Sequence, residues 1–208
     1  QQKKPVVSFE IFPPKPDSPL ESIFQCIEEL QQIKPDFISV TYGAGGSTQG
    51  RTLEVARHIQ DDHGIPALGH LTCVGATPAQ SQAVLDDFAA HGIQNILALR
   101  GDKPKDAPPG PLNCYAQDLV RLIRGRNQPC SIAAAAYPEG HLESPNREED
   151  LKHLKEKVDS GADFLITQIF FDNAMLYRFL DGARAHGIAV PVTAGIMPVF
   201  SRAQVERI

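Results

Sequence analysis

An α/β fold of the (βα)8 TIM-type barrel is predicted for this chain, and three observations predict it. Seven apolar β-runs alternate with helical patterns at intervals of roughly 30 residues, with short loops between them, as a parallel sheet with outer helices requires. The runs are almost continuously apolar, as strands covered on both faces must be. Functional groups recur at or near the C-terminal end of most strands: Glu10, Thr41-Tyr42, His70, Arg100 and Asp102, Tyr137, Gln168 and Met197. An open doubly wound sheet would gather them at one switch point instead. No eighth strand follows before Ile208, so the barrel is expected to be truncated after its seventh strand, with residues 1–208 as one domain lacking the eighth βα unit.

The first strand lies in Val6–Phe12 and ends at Pro13-Pro14, which can donate no ladder bonds. Ser18-Pro19-Leu20-Glu21 reads as a capping box with proline at the first helical position, and Leu20, Ile23, Phe24, Ile27 and Leu30 repeat at helical spacing. Phe37–Tyr42 is the second strand, followed by a Gly-rich turn and a helix to about His63. Pro66–Cys73 is the third strand. Thr77-Pro78 opens a helix by cap and N1 proline, with Ala83, Val84, Phe88 and His91 on its inner stripe. Asn95–Leu99 is the fourth strand, and a Pro-rich loop from Lys103 to Cys114 leads to the helix of Leu119, Leu122 and Ile123. Ser131–Tyr137 is the fifth strand; Leu151, Leu154 and Val158 mark the inner side of a charged helix. Phe164–Phe171 is the sixth strand, Asn173 caps the helix of Leu176, Phe179, Leu180 and Ala183, and Pro191–Val199 is the seventh strand.

Composition narrows the function. With 42% hydrophobic and 22% charged residues, the 208-residue chain has the make-up of a globular domain with one core. A net charge of −5 without a basic run argues against nucleic acid and anionic membranes as partners. No apolar segment approaches the ~20 residues of a membrane span, and no signal-like segment opens the chain, so a soluble cytoplasmic protein with a small-molecule ligand is expected. Cys26, Cys73, Cys114 and Cys130 lack C-x-x-C spacing and read as free thiols, no His pair is read at zinc-ligand spacing, and no metal site is expected. A homo-oligomer is compatible with helical outer faces that look like interface faces.

Glu10 is the anomaly of the first strand. A carboxylate among Val, Phe and Ile either faces water or is held with a raised pKa, and the latter makes a proton donor. Gly43-Ala44-Gly45-Gly46-Ser47-Thr48 invites a dinucleotide fingerprint but fails it: Thr48 replaces the last glycine and no ribose-binding acid ends the third strand. Arg100-Gly101-Asp102 offers opposite charges around a glycine, either toward a ligand or as a surface ion pair of small worth. His70 reads as a ligand contact or a satisfied core histidine. Gln168 reads as an amide buried among apolar residues, bonded to backbone or ligand.

Five ordered blocks, Ser8–Pro14, Ser39–Thr48, Leu99–Asp102, Ala136–Glu139 and Thr167–Asp172, resemble bacterial-type methylenetetrahydrofolate reductase across essentially the whole chain. The resemblance implies a barrel that uses FAD, with NADH or NADPH, to reduce 5,10-methylenetetrahydrofolate to 5-methyltetrahydrofolate by a ping-pong cycle, in one-carbon metabolism and methionine biosynthesis. It implies Glu10 as general acid toward a folate nitrogen and Asp102 as a carboxylate beside flavin and pterin. Gln168 and Gln204 would contact folate, and Thr41 the nicotinamide. Flavin contacts would come from Tyr42, Ala44, His70, Arg100, Gly101, Tyr115, Ala116, Tyr137, His141, Asp150, His153 and Lys157. His153 stands where some relatives carry Asn. The competing reading is a flavin- or pterin-binding barrel without turnover.

Overall fold

The structure, a computed structural model, describes residues 5–15, 17–43, 49–102 and 114–206; Gly-rich block residues 44–48 and Pro-rich loop residues 103–113 lie outside them. In chain order the elements are β1 (Ser8–Ile11), α1 (Glu21–Gln31), β2 (Phe37–Val40), α2 (Gln49–Arg57), a π-helical turn (His58–Asp62), β3 (Ala67–Thr72), α3 (Pro78–Ala90), β4 (Asn95–Leu99), α4 (Ala116–Gly125), β5 (Ser131–Ala136), α5 (Arg147–Asp159), β6 (Phe164–Thr167), α6 (Asn173–Ala185), β7 (Val192–Thr193) and α7 (Arg202–Val205). The strands form one sheet in the order β1 to β7, and each neighbouring pair is parallel. Sequential parallel order without a reversal is barrel winding, not a doubly wound sheet.

Curvature is visible in one contact. Phe37 on β2 and Phe164 on β6 meet with ring centroids 6.4 Å apart. In a flat sheet, four strand steps of about 4.8 Å would hold them about 19 Å apart, so the sheet curls onto itself. The strand pleat then sorts residues by parity. Ile11, Ile38, Val40, Leu71, Ile96, Ala98 and Ile132 face outward into a core completed by Ile27, Val55, Ile59, Phe88, Leu119 and Ile123 of the helical layer. A second outer cluster joins Ala134, Ala136 and Leu165 to Leu154, Phe179 and Ala183. Leu68, Leu97 and Ala133 face inward with Phe37, Leu99, Phe164 and Ile166, filling the concave side. Burying one such side chain is worth about 1.5–3 kcal/mol, so this parity is strongly enforced.

The structure departs from the sequence expectations at several element ends. Helix α1 begins at Glu21 with Leu20 as its N-cap and no side-chain cap bond. Ser18 does not form the expected box; Leu20 is buried, its carbonyl accepts the Ile23 and Phe24 amides, and the Ser18 carbonyl accepts Arg51 Nη2. Thr77 and Gln80 do form a capping box with Pro78 at the start of α3. The buried stripe of α3 is Ser81, Val84, Leu85 and Phe88, an i, i+3, i+4, i+7 row that keeps the expected Val84 and Phe88, while Ala83 is exposed and His91 half-buried. Asp172, not Asn173, caps α6, accepting the Ala174 amide. Strand β7 has two residues where nine were expected. Beyond it Gly195 gives its amide to the Thr167 hydroxyl, 2.9 Å away, and a Cβ on it would lie 2.3 Å from the Thr167 carbonyl oxygen. The ladder gives way there to this side-chain bond.

Candidate active site

The C-terminal ends of the strands open into a cavity of about 810 Å³. Because inward positions alternate, the residues above the apolar floor are Glu10 of β1, His70 and Thr72 of β3, and Tyr137 just past β5. Fifteen of the candidate residues line it: Glu10, Thr41, Tyr42, His70, Arg100, Gly101, Asp102, Tyr115, Ala116, Tyr137, His141, Asp150, His153, Lys157 and Gln168. Gln204 does not. Its amide is engaged within its own loop, with Nε2 donating to the Pro198 carbonyl and Oε1 accepting the Phe200 amide. Ala44 lies outside the described residues.

Glu10 keeps 44% of its side-chain surface accessible, because it opens onto the cavity. Protein atoms crowd its flanks, and this desolvation pushes its pKa above the ordinary glutamate value; a 3.5 Å contact from the Ser39 hydroxyl works the other way. His70 lies across β2, with Nε2 3.4 Å from Glu10 Oε2. The contact lacks hydrogen-bond geometry, and His70 Nε2 and Thr72 Oγ1 are the buried side-chain polar atoms without a partner among the described residues. Burial pushes the His70 pKa down to about 4, so the ring is neutral near pH 7. Two unpaired polar atoms facing a cavity call for a polar occupant.

Arg100 forms a bidentate ion pair with Glu143, at 2.5 and 3.0 Å. Asp102 is exposed on the cavity rim and forms no direct pair with Arg100, contrary to the surface-pair alternative. Gly101 has φ +86°, and a Cβ there would lie 2.7 Å from Val74 Cγ1 and 3.0 Å from Thr72 Cβ, so only glycine lets this wall pass. Tyr137 meets His141 edge to face at 4.7 Å, and the Lys157 ammonium lies 5.7 Å from the Tyr137 ring centroid. Lys157 Nζ donates to the Ala135 carbonyl at 2.5 Å, and burial pushes its pKa down to about 8, with Asp150 opposing. Burial also raises the Tyr137 pKa and lowers that of His141, the latter with help from Arg100.

Gln168 is exposed to the cavity, not buried: the β6 ladder ends at Thr167, and its Oε1 accepts the Ile169 amide. Sequence reasoning missed Glu143 and Thr72. Nothing local marks Glu143, since its partner lies 43 residues away. Thr72 carried a signal, the same inward parity as His70.

A sequence model of the family described as methylenetetrahydrofolate reductase matches residues 1–208. The chain is 41% identical over 201 residues to the 5,10-methylenetetrahydrofolate reductase of Escherichia coli (strain K12), covering 97% of this chain and 67% of that protein. It is 37% identical over 214 residues to methylenetetrahydrofolate reductase (NADH) 1 of Arabidopsis thaliana, covering 96% of this chain and 36% of that one. Among solved structures, an uncharacterized Clostridium thermocellum protein that binds two copies of 5-methyl-5,6,7,8-tetrahydrofolic acid superposes with a TM-score of 0.68 at 16% identity, covering 97% of this chain and 69% of that one. A 2,3-dimethylmalate lyase follows at TM-score 0.65 and 12% identity, with 97% and 72% covered. At such identities the likeness is one of fold.

Proposed function

The chain belongs to the methylenetetrahydrofolate reductase family, and from that premise we propose that it is a cytoplasmic flavin-dependent reductase barrel converting 5,10-methylenetetrahydrofolate to 5-methyltetrahydrofolate. The observation that carries the reading is the Glu10 carboxyl, held above its ordinary pKa beside a neutral, unpaired His70 in a large cavity. NADH or NADPH is the reductant; the Arabidopsis relative carries NADH in its name. Folate as substrate also agrees with the ligand named for the Clostridium structure.

The residues present suit a flavin. Two orphaned buried polar atoms await ring heteroatoms, and Gly101 brings bare backbone to the cavity wall. Tyr42, Ala44, His70, Arg100, Gly101, Tyr115, Ala116, Tyr137, His141, Asp150, His153 and Lys157 would hold FAD, with Arg100 and Lys157 as the cations for its phosphates. When bound, a flavin supplies two-electron transfer from nicotinamide to folate, in a ping-pong sequence.

The protein's own work is proton handling and charge. A carboxyl with a raised pKa retains its proton nearer neutrality, and Glu10 gives that proton to a folate nitrogen, opening the five-membered ring to an iminium cation. Hydride addition at the iminium carbon then makes the methyl group. The Asp102 carboxylate on the rim favours the cation. Gln168 offers its amide to the pterin and Thr41 its hydroxyl to the nicotinamide. The test is a two-stage experiment: FAD-loaded protein is bleached anaerobically with NADH, then reoxidised with 5,10-methylenetetrahydrofolate while the methyl product is followed. Bleaching without folate-dependent reoxidation would leave a flavin-binding barrel; neither stage would remove the reading.

A further inference from the structure

A second constellation lies on the helical side of the barrel, where α2 ends. The π-helical turn His58–Asp62 widens the helix so that His58 and His63, five residues apart, face each other; such turns recur at functional positions. Their Nε2 atoms are 3.2 Å apart. His58 Nδ1 meets Asp62 Oδ2 at 2.6 Å, and His63 Nδ1 meets Gln31 Oε1, on α1, at 3.0 Å.

An ionised carboxylate and an amide oxygen can only accept, so both Nδ1 atoms carry the N–H, and in neutral rings both Nε2 atoms present lone pairs to each other. A cation between them, a metal ion or a proton, relieves that repulsion. Two imidazole nitrogens on one tetrahedral zinc, each at about 2.0–2.1 Å, stand about 3.3 Å apart, which matches the observed separation. Histidines that bind metal characteristically donate their other N–H to a carboxylate or carbonyl, and here both do. His58, Asp61 and Asp62 line a hollow of about 430 Å³ on the His58 side of the pair.

We propose that His58 and His63 form a two-histidine site for a borderline divalent metal of the zinc and nickel class, with Asp62 and Gln31 as positioning residues. No third histidine, cysteine or carboxylate joins them among the described residues, so water completes the coordination. Neither a metal nor a His pair at zinc-ligand spacing was expected from the sequence, yet His58-x4-His63 has a spacing that zinc sites use.

The test is calorimetric titration of the tag-free, chelator-treated chain with ZnCl2 and NiCl2 at pH 7.5. Saturable one-to-one binding is expected, weakened at least tenfold by His58→Gln or His63→Gln, weakened about tenfold by Asp62→Asn, and unchanged by Cys26→Ser, which removes the exposed thiol. A Co2+ spectrum should show no thiolate charge-transfer band. If a histidine variant folds poorly, ZnCl2 should still raise the melting temperature of the parent and do so less for Asp62→Asn. Absence of saturable binding, affinity within twofold of the parent in the double histidine variant, or a thiolate band would overturn the site and leave a shared proton between the rings.

Discussion

Glu10 Oε2 and His70 Nε2 approach to 3.4 Å across β2 without forming a hydrogen bond. Both groups are displaced toward their uncharged forms by the same cause, loss of water around them. A carboxyl shifted toward its protonated form beside a neutral imidazole suits a site where a proton is to be delivered rather than a charge displayed.

Glu10→Gln should therefore leave flavin binding and its reduction by NADH intact while slowing folate reduction by ~10²–10⁴, the usual loss on removing a general acid. The amide keeps the size of the side chain and can still face Ser39. Rapid-mixing measurement of each half-reaction checks this; folate reduction within threefold of the parent would remove Glu10 from proton transfer.

For His70 the consequence is a pH dependence of stability. Its folded pKa, about 4, lies below the unfolded value of 6.5, so the unfolded chain binds the proton more readily. The group's contribution is present above pH 6.5 and is lost as pH falls toward 4. Between pH 7 and pH 5 the parent should lose about 2 kcal/mol more than His70→Asn, read from urea denaturation at both values. Equal losses in the two proteins would show that His70 titrates normally.

Gly101→Ala should destabilise the apoprotein by about 1–3 kcal/mol, since alanine would meet both a left-handed backbone and a crowded wall. The φ of +86° and the 2.7 Å approach to Val74 Cγ1 act together. Thermal unfolding reads the loss. A variant as stable as the parent would mean that the wall yields freely.

How much of this was legible before the structure depended on whether the governing contact was local. Asn95–Leu99 matches its predicted strand residue for residue, and the Thr77 cap holds, because a continuous apolar run and a hydroxyl three residues before Gln80 carry their own instructions. For Glu10 the sequence left the water-facing and the raised-pKa readings open, because nothing local says which face of β1 the barrel encloses. The Glu143 clamp on Arg100 and the diversion of the chain at Gly195 depend on partners 43 and 28 residues away, and no periodicity reports those. The π-helical turn is similar, as its spacing departs from the 3.6-residue repeat by which helices are read.

Asp102 gives the last prediction. Its carboxylate is exposed at the rim, while the nearby guanidinium of Arg100 is taken by Glu143, so among the described residues no direct partner cancels its charge toward the cavity. Under the proposed chemistry that charge raises the free energy of an electron-rich reduced flavin and lowers that of a cationic folate. Asp102→Asn should therefore raise the flavin midpoint potential and slow hydride delivery to folate more than it slows reduction by NADH. After screening, such a charge is worth a few kcal/mol at most, so a shift of tens of millivolts is expected, with roughly 30 mV equal to about 1.4 kcal/mol for a two-electron couple. Higher salt should shrink the shift, because the group is open to solvent. Spectroscopic redox titration of both proteins at low and high ionic strength decides the matter: an unchanged midpoint with folate turnover intact would reduce Asp102 to a bystander on the rim.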